Sequence, residues 1–239
     1  GNWMNQDVIA LYAVQETDTA LLQCARRLRS LDNGTAEKEA AQKAAADHEA
    51  VVQELQQAQA ALRDAELELK SLEAKRKEHS DRLYSGRIGN PKELDSLQRE
   101  VEALSRRIGS LDETVLQLMD RVEALTAREA ELRATRDRAD AAYRAKAEAY
   151  VRSARNLRDE MARLQAQRKE RAAAVPSALL KRYEAVRATK DGVGVARVEG
   201  SRCGACRTIL PKNTLLSAME TDAIVTCESC GRLLFAENH

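Results

Sequence analysis

Aromatic residues are nearly missing from this chain. Tryptophan, tyrosine and phenylalanine together make up 3% of its 239 residues, too little aromatic bulk for a single globular core of that length. Breakers are scarce as well: with 10 Gly and 3 Pro, there are few points at which a long helix has to stop. No stretch is apolar enough over roughly eighteen residues to span a membrane, and no secretory leader is visible. The net charge of +1 names no partner. These absences exclude an aromatic-rich globular enzyme, a helical membrane protein and a bulk-charged nucleic-acid tail. Charged residues reach 32%, and Ala, Glu, Lys, Leu and Arg dominate, which is coiled-coil composition. Gly1-Asn2-Trp3 ahead of Met4 reads as a cloning remnant and stays outside the fold reasoning.

The one dense cluster of turn formers is Tyr84-Ser85-Gly86-Arg87-Ile88-Gly89-Asn90-Pro91-Lys92-Glu93-Leu94. Gly86 and Gly89 can take positive φ without a Cβ penalty. Asn90 is a good N-cap, and Pro91 suits the first helical position, where its missing N–H matters least. Glu93 falls where it can reach back to the cap amide. One helix therefore ends near Leu83 and another starts at Pro91. Arms of about eighty residues lie on either side, each up to roughly 120 Å long if fully helical. Equal arms around a short turn predict an antiparallel hairpin. The same heptads could pair between two chains, but the matched arms and capped turn favour pairing within one.

Both arms carry heptad seams. In the first, Val14, Thr17, Leu21, Cys24, Leu28 and Leu31 are followed by Asp32-Asn33-Gly34-Thr35. The seam resumes with Ala41, Ala44, His48, Val51 and Leu55 and runs to His79 and Leu83, one residue out of step, so a kink or short non-helical link is expected at 32–35. Cys24, His48 and His79 lie on the seam and read as packed core residues. In the second arm, Leu94, Val101, Ile108, Val115 and Val122 occupy one core position, and Leu97, Leu104, Leu111, Leu118, Leu125 and Leu132 the other. β-Branched residues facing leucines favour two-helix packing. Beyond Leu132 the pattern shifts to Tyr143, Ala147, Tyr150, Ala154, Leu157, Met161 and Leu164, with the two tyrosines filling space opposite the break.

Charge is uneven along the arms. Residues 144–171 hold nine Arg/Lys against four acids, whereas 35–75 hold five bases against nine acids. Solvated helix faces account for most of this. The functional alternative is a docking surface for nucleic acid or an acidic protein, centred on Arg152, Arg155 and Arg158.

Pro176 ends the second arm. Ala178 to Ala188 reads as a short amphipathic helix, and Val193 to Val198 as a strand after the break at Gly192 and Gly194. Two knuckles follow, Cys203-Gly204-Ala205-Cys206 and Cys227-Glu228-Ser229-Cys230. Each Cys-x-x-Cys turn aims two thiolates at one point, and two such turns complete a tetrahedron. One Zn²⁺ on Cys203, Cys206, Cys227 and Cys230 is expected. A four-sulfur shell leaves no open position, so the ion is structural. Zinc rather than disulfides implies a reducing cytoplasm. From Gly192 onward five bases meet five acids, and Phe235 is the sole aromatic. A single-strand binder combines a basic groove with several aromatic faces, and this module has neither. Its surplus Leu and Ile suit a protein contact better.

Taken together, the turn motif, Tyr183, the two knuckles, Pro211 and Gly231-Arg232 with Leu234 resemble the bacterial C4-type zinc-ribbon proteins with a long N-terminal coiled coil. The resemblance spans essentially the whole chain. It implies a mainly α fold: a long, kinked antiparallel coiled-coil hairpin over 4–175, with its turn at 84–91, then a short helix and zinc ribbon over 176–239. The family is commonly labelled as nucleic-acid-binding, and some relatives are linked to flagellar or secretion machinery as partner-binding proteins. Where that family ends in Leu-Tyr, this chain has Leu234-Phe235 and lacks the hydroxyl.

Turn chemistry explains Gly86, Gly89, Asn90, Pro91 and Glu93, but not an aromatic and an isoleucine at the end of a shaft. Tyr84, Arg87, Ile88 and Lys92 are therefore candidate protein-docking residues. No nucleophile–base pair, phosphate loop or open metal position is visible, so no small-molecule substrate, membrane or catalysis is expected. The leading expectation is a non-enzymatic adaptor. The alternative is RNA or DNA binding through the basic stretch with the ribbon.

Overall fold

The computed structural model describes residues 5–220 and 222–237. Residues 1–4, and with them the expected cloning remnant, lie outside that range. The elements run α1 (Gln6–Ser30), α2 (Thr35–Leu83), α3 (Pro91–Ala173), α4 (Ser177–Thr189), β1 (Val195–Glu199), β2 (Arg202–Cys203), α5 (Lys212–Glu220) and β3 (Leu233–Phe235). The chain divides into two compact units. One holds the residues up to Asn33 together with those from Glu148 onward; the other is Gly34–Ala147. The sequence division at 175/176 follows chain order, whereas the compact units follow packing.

In the unit 34–147, α2 lies antiparallel to the first part of α3. Cross-helix partners rise on one helix as they fall on the other: Glu37 with Lys146, His48 with Glu129, Glu68 with Arg107, and His79 with Glu100. Ala44, Val51, Ala58 and Ala65 of α2 are buried, with Leu97 and Ile108 of α3. Small residues on one helix facing larger ones on the other make a narrow seam. The turn is built as its residues dictate. Gly86 takes φ 72° and Gly89 has no positive φ. The Asn90 side chain accepts the Lys92 amide at 3.0 Å, which caps α3. Among the described residues no hydrogen bond joins Glu93 to the Asn90 amide, so only half of the expected capping box forms.

The break at residues 31–34 is a non-helical link, with Leu31 extended and Gly34 left-handed at φ 79°. A Cβ on Gly34 would lie 3.0 Å from Lys146 Cγ and 3.7 Å from the Tyr143 ring, so Tyr143 does fill the space opposite the break. The shift of seam beyond Leu132 does not interrupt α3, which is continuous to Ala173.

In the other unit, α1 pairs with the last part of α3. Cys24, Leu157 and Leu164 form one buried cluster, flanked by Leu21, Leu28 and Met161. Cys24 is thus a core residue, as its seam position implies. A three-stranded sheet in the order β2-β1-β3 follows. Its alternation sends side chains into two cores. Val195, Leu233 and Phe235 join Val8, Leu11, Val14, Leu179 and Tyr183 on the helix side. Ala196 and Leu234 join Cys203, Cys227 and Leu210 on the other. The expected strand at 193–198 starts two residues later, as Val195–Glu199: the Val193 amide turns back onto the Lys190 carbonyl, the Val193 carbonyl takes the Arg232 side chain, and the Gly194 amide goes to Gln15 of α1.

Candidate metal centre

The four knuckle cysteines converge. Their Sγ atoms all lie within 4.8 Å of one another, with Cys203–Cys230 at 3.9 Å and Cys206–Cys227 at 3.7 Å. Tetrahedral Zn–S bonds of about 2.3 Å put sulfurs about 3.8 Å apart, so this donor set fits one Zn²⁺. Both knuckles use the same backbone device. The Arg207 amide donates to the Cys203 carbonyl at 2.9 Å, and the Gly231 amide to the Cys227 carbonyl at 2.8 Å. Arg207 and Gly231 are both left-handed, at φ 63° and 77°. The second knuckle fills that position with glycine, and the first accepts the cost of an arginine there. Gly204 has a different reason to be glycine: a Cβ would sit 2.5 Å from the Arg197 carbonyl oxygen.

Burial pushes the Cys203 thiol up to about 12 and raises Cys227 as well. Hydrogen bonds from the Thr208 hydroxyl and amide pull Cys206 down to about 6. Zn²⁺ therefore has to displace protons from the two buried sulfurs, Cys203 and Cys227. With all four sulfurs on the ion, the site orders the fold and offers no position for a substrate.

Helix α1 grips this module through side chains that its seam pattern does not single out. Gln15, 3% exposed, accepts the Gly194 and Val195 amides at 2.7 and 3.2 Å and donates to the Gly192 carbonyl at 3.1 Å. Asp18, 2% exposed, receives Arg168 at 2.5 Å, the Tyr183 hydroxyl at 2.6 Å and Arg187 at 3.2 Å. Burial, and then Asp18, raises the Tyr183 hydroxyl, which stays a donor. Gly194 allows Tyr183 to approach: a Cβ there would be 2.5 Å from the ring and 2.9 Å from its carbonyl. Arg232, just past the second knuckle, donates to the Val193 and Lys190 carbonyls at 2.9 Å each.

A second buried polar layer lies inside the hairpin unit. His48 Nε2 is 2.7 Å from Glu129 Oε1, and an Arg136 guanidinium N–H meets His48 Nδ1 at 3.1 Å. A guanidinium only donates, so Nδ1 accepts and the proton sits on Nε2, facing Glu129. Arg133 also holds Glu129, and these hydrogen bonds lower its carboxyl to about 2. The partners of His48 come from the opposite helix, not from its sequence neighbours Asp47 and Glu49. Glu129 falls on the Leu94–Val122 heptad position, one step past the last apolar member.

The other candidate residues are placed as follows. At the turn, Tyr84 is 81% exposed, Arg87 and Lys92 are exposed, and Ile88 is half-buried. Arg152, Arg155 and Arg158 are exposed on α3 and make no ion pair among the described residues. The same holds for Arg26, Arg27 and Arg29 on the antiparallel α1.

A coiled-coil hairpin unit joined to a closed four-cysteine ribbon defines a class, and comparison with known proteins gives the family. Residues 14–191 match the CT398-like coiled coil hairpin domain, and 202–234 the C4-type zinc ribbon domain. The chain belongs to the CT398-like coiled-coil hairpin family. It is 34% identical over 164 residues to the proteins described as Uncharacterized protein Rv2229c and Uncharacterized protein MT2288 of two Mycobacterium tuberculosis strains. The match covers 67% of this chain and 66% of those proteins, just under two thirds of their length. CT398 from Chlamydia trachomatis shares the fold at TM-score 0.69 and 19% identity, over 99% of this chain and 100% of that one. A Mycobacterium smegmatis structure matches at TM-score 0.67 and 25% identity, over 98% and 100% of the two chains. HP0958 from Helicobacter pylori matches at TM-score 0.53 and 17% identity, over 99% of each.

Proposed function

We propose that this protein is a non-enzymatic adaptor that holds other proteins through its hairpin tip and its zinc ribbon. The observation that carries this reading is Tyr84, an aromatic 81% exposed on a turn that needs no aromatic. Arg87 and Lys92 flank it with charge, and aromatic–arginine groups are the residue types that anchor protein interfaces. The ribbon adds exposed apolar side chains, with Ile209, Leu216, Met219 and Ile224 all open to solvent. A non-catalytic role is supported by the titratable groups, because Glu129 and Glu184 are tied to arginines and the cysteines form a closed shell. A C4 thiolate site suits a reducing compartment such as the cytoplasm. No helix among the described residues is long and apolar enough to cross a membrane. The test is affinity capture with the zinc-loaded protein and a Tyr84→Ser/Ile88→Ser variant of equal helicity. Proteins lost only from the variant support the reading, and an unchanged set contradicts it.

Nucleic-acid binding is the second reading. Arg26, Arg27, Arg29, Arg152, Arg155 and Arg158 favour it, as exposed arginines on two paired helices with no ion pair among the described residues. Phosphate contacts release counterions, so such binding weakens steeply with salt. Titrating generic RNA and single-stranded DNA at low and near-physiological salt, with Arg152, Arg155 and Arg158 changed to Glu as control, separates the two readings.

A further inference from the structure

A cleft of about 380 Å³ opens between α1 and the first half of the ribbon. That is at the small end of the range of pockets that hold small ligands, roughly 300–1,000 Å³. One wall is a single face of α1, with Tyr12, Glu16, Thr19 and Gln23 at helical spacing. The opposite wall carries Arg197 and Glu199 of β1. Ala20 of α1 and Gly204 and Ala205 of the first knuckle are the small residues of the lining. Gly204 has no room for a larger residue, because a Cβ there would collide with the Arg197 carbonyl. The Tyr12 wall is rigid, because its ring stacks on Phe235 with centroids 4.4 Å apart and planes 10° off parallel.

The cleft is rich in acceptors. Glu16 is exposed and makes no hydrogen bond or ion pair among the described residues. Glu199 holds Arg207 through Oε2, and its Oε1 lies beside Gly204 of the lining. The lining's one cation, Arg197, is engaged by Glu237. Tyr12 reports the resulting field. After burial, Glu16, Glu237 and Glu199 raise its hydroxyl, and Arg197 alone opposes them. The Tyr12 hydroxyl has no hydrogen-bond partner among the described residues.

We propose that this cleft is the docking site for an arginine side chain of a protein partner, received by the carboxylates of Glu16 and Glu199 and the hydroxyl of Tyr12. A guanidinium offers only donors, in a planar fork that suits a lining to which α1 and β1 each contribute a carboxylate. The rigid walls lower the ordering cost of such an anchor. This inference rests on the adaptor reading and adds the chemistry of what the ribbon end holds.

The test uses the zinc-loaded full chain and two short peptides, acetyl-Gly-Arg-Gly-amide and its citrulline counterpart. Citrulline has nearly the shape of arginine without the charge. Amide chemical shifts are followed by NMR. The arginine peptide is expected to give saturable shifts confined to residues 12–23 and 193–205. The citrulline peptide, and the arginine peptide on Glu16→Gln, are expected to bind about tenfold more weakly. Glu16 has no partner to lose, so that variant keeps the fold; Glu16→Lys is expected to abolish binding. Equal binding of the two peptides, shifts outside the cleft, or no saturation up to peptide solubility would overturn the proposal. Tip-dependent capture is read separately. The cleft can therefore fail while the adaptor reading stands, and the failure of both removes that reading.

Discussion

The side-chain oxygen of Gln15 accepts the amide of Gly194 at 2.7 Å, across 179 positions of sequence. It accepts the Val195 amide too, while the Gln15 amide group serves the Gly192 carbonyl. One helix residue thus completes the backbone hydrogen bonding that starts β1. Leucine keeps the bulk and loses the bonds, leaving two buried amides unpaired. Gln15→Leu is expected to destabilise the zinc-loaded protein by about 2–4 kcal/mol in urea unfolding, with zinc content unchanged in native buffer.

Asp18 is the second anchor of α1. It holds Arg168, Arg187 and Tyr183 while almost fully buried. Removing one partner costs less than removing the hub. Tyr183→Phe loses one hydrogen bond to a charged acceptor, about 1.5–3 kcal/mol. Asp18→Ala leaves two guanidinium groups with Glu184 alone and orphans the Tyr183 hydroxyl, about 3–5 kcal/mol. Because the residues share one network, the double variant should cost less than the sum. Additive losses would show that Tyr183 is held by packing alone.

Glu129 gives the hairpin unit an acid-sensitive element. Its carboxyl is lowered from 4.5 to about 2, first by the Arg133 hydrogen bonds and then by His48. A lowered carboxyl contributes its full stability above the unfolded value and loses it as pH falls through the folded one. Between about pH 4.5 and pH 2 the wild type should therefore lose helical stability faster than Glu129→Gln. Thermal melts followed by circular dichroism test this, and parallel pH profiles would assign the acid response to other carboxylates.

Zinc should matter locally. The cysteine cluster supports Ala196 and Leu234, whose strand neighbours Val195 and Leu233 pack against α1 and α4. Chelation, or Cys227→Ser, is expected to raise amide exchange over 195–235 and over α1, whereas 35–147 stays protected. A ribbon equally protected without metal would contradict a structural role for the ion.

Much of this was legible in the sequence. The hairpin followed from two heptad seams around Gly86, Asn90 and Pro91, and the metal centre from two knuckles at ribbon spacing. Periodicity reports apolar faces, so it found Cys24, Val51 and Ile108. It had no means of finding Gln15 or Asp18, which are polar residues buried for partners on elements more than a hundred positions away. Glu129 was recoverable in principle, since it continues a heptad position, but a charge there reads as the end of a seam. The α1–ribbon cleft depends on small lining residues that only the fold brings together.

The adaptor reading turns on whether Tyr84 touches a protein. The direct measurement is photocrosslinking in cells, with a benzophenone amino acid at position 84 of the full chain and a second at the exposed mid-shaft Leu116 as control. A discrete protein adduct from position 84, missing at 116 and lost when Arg87 and Lys92 are changed to Glu, is the expected result. Adducts to nucleic acid alone, or the same products from both positions, would contradict it and leave the tip as nothing more than a turn.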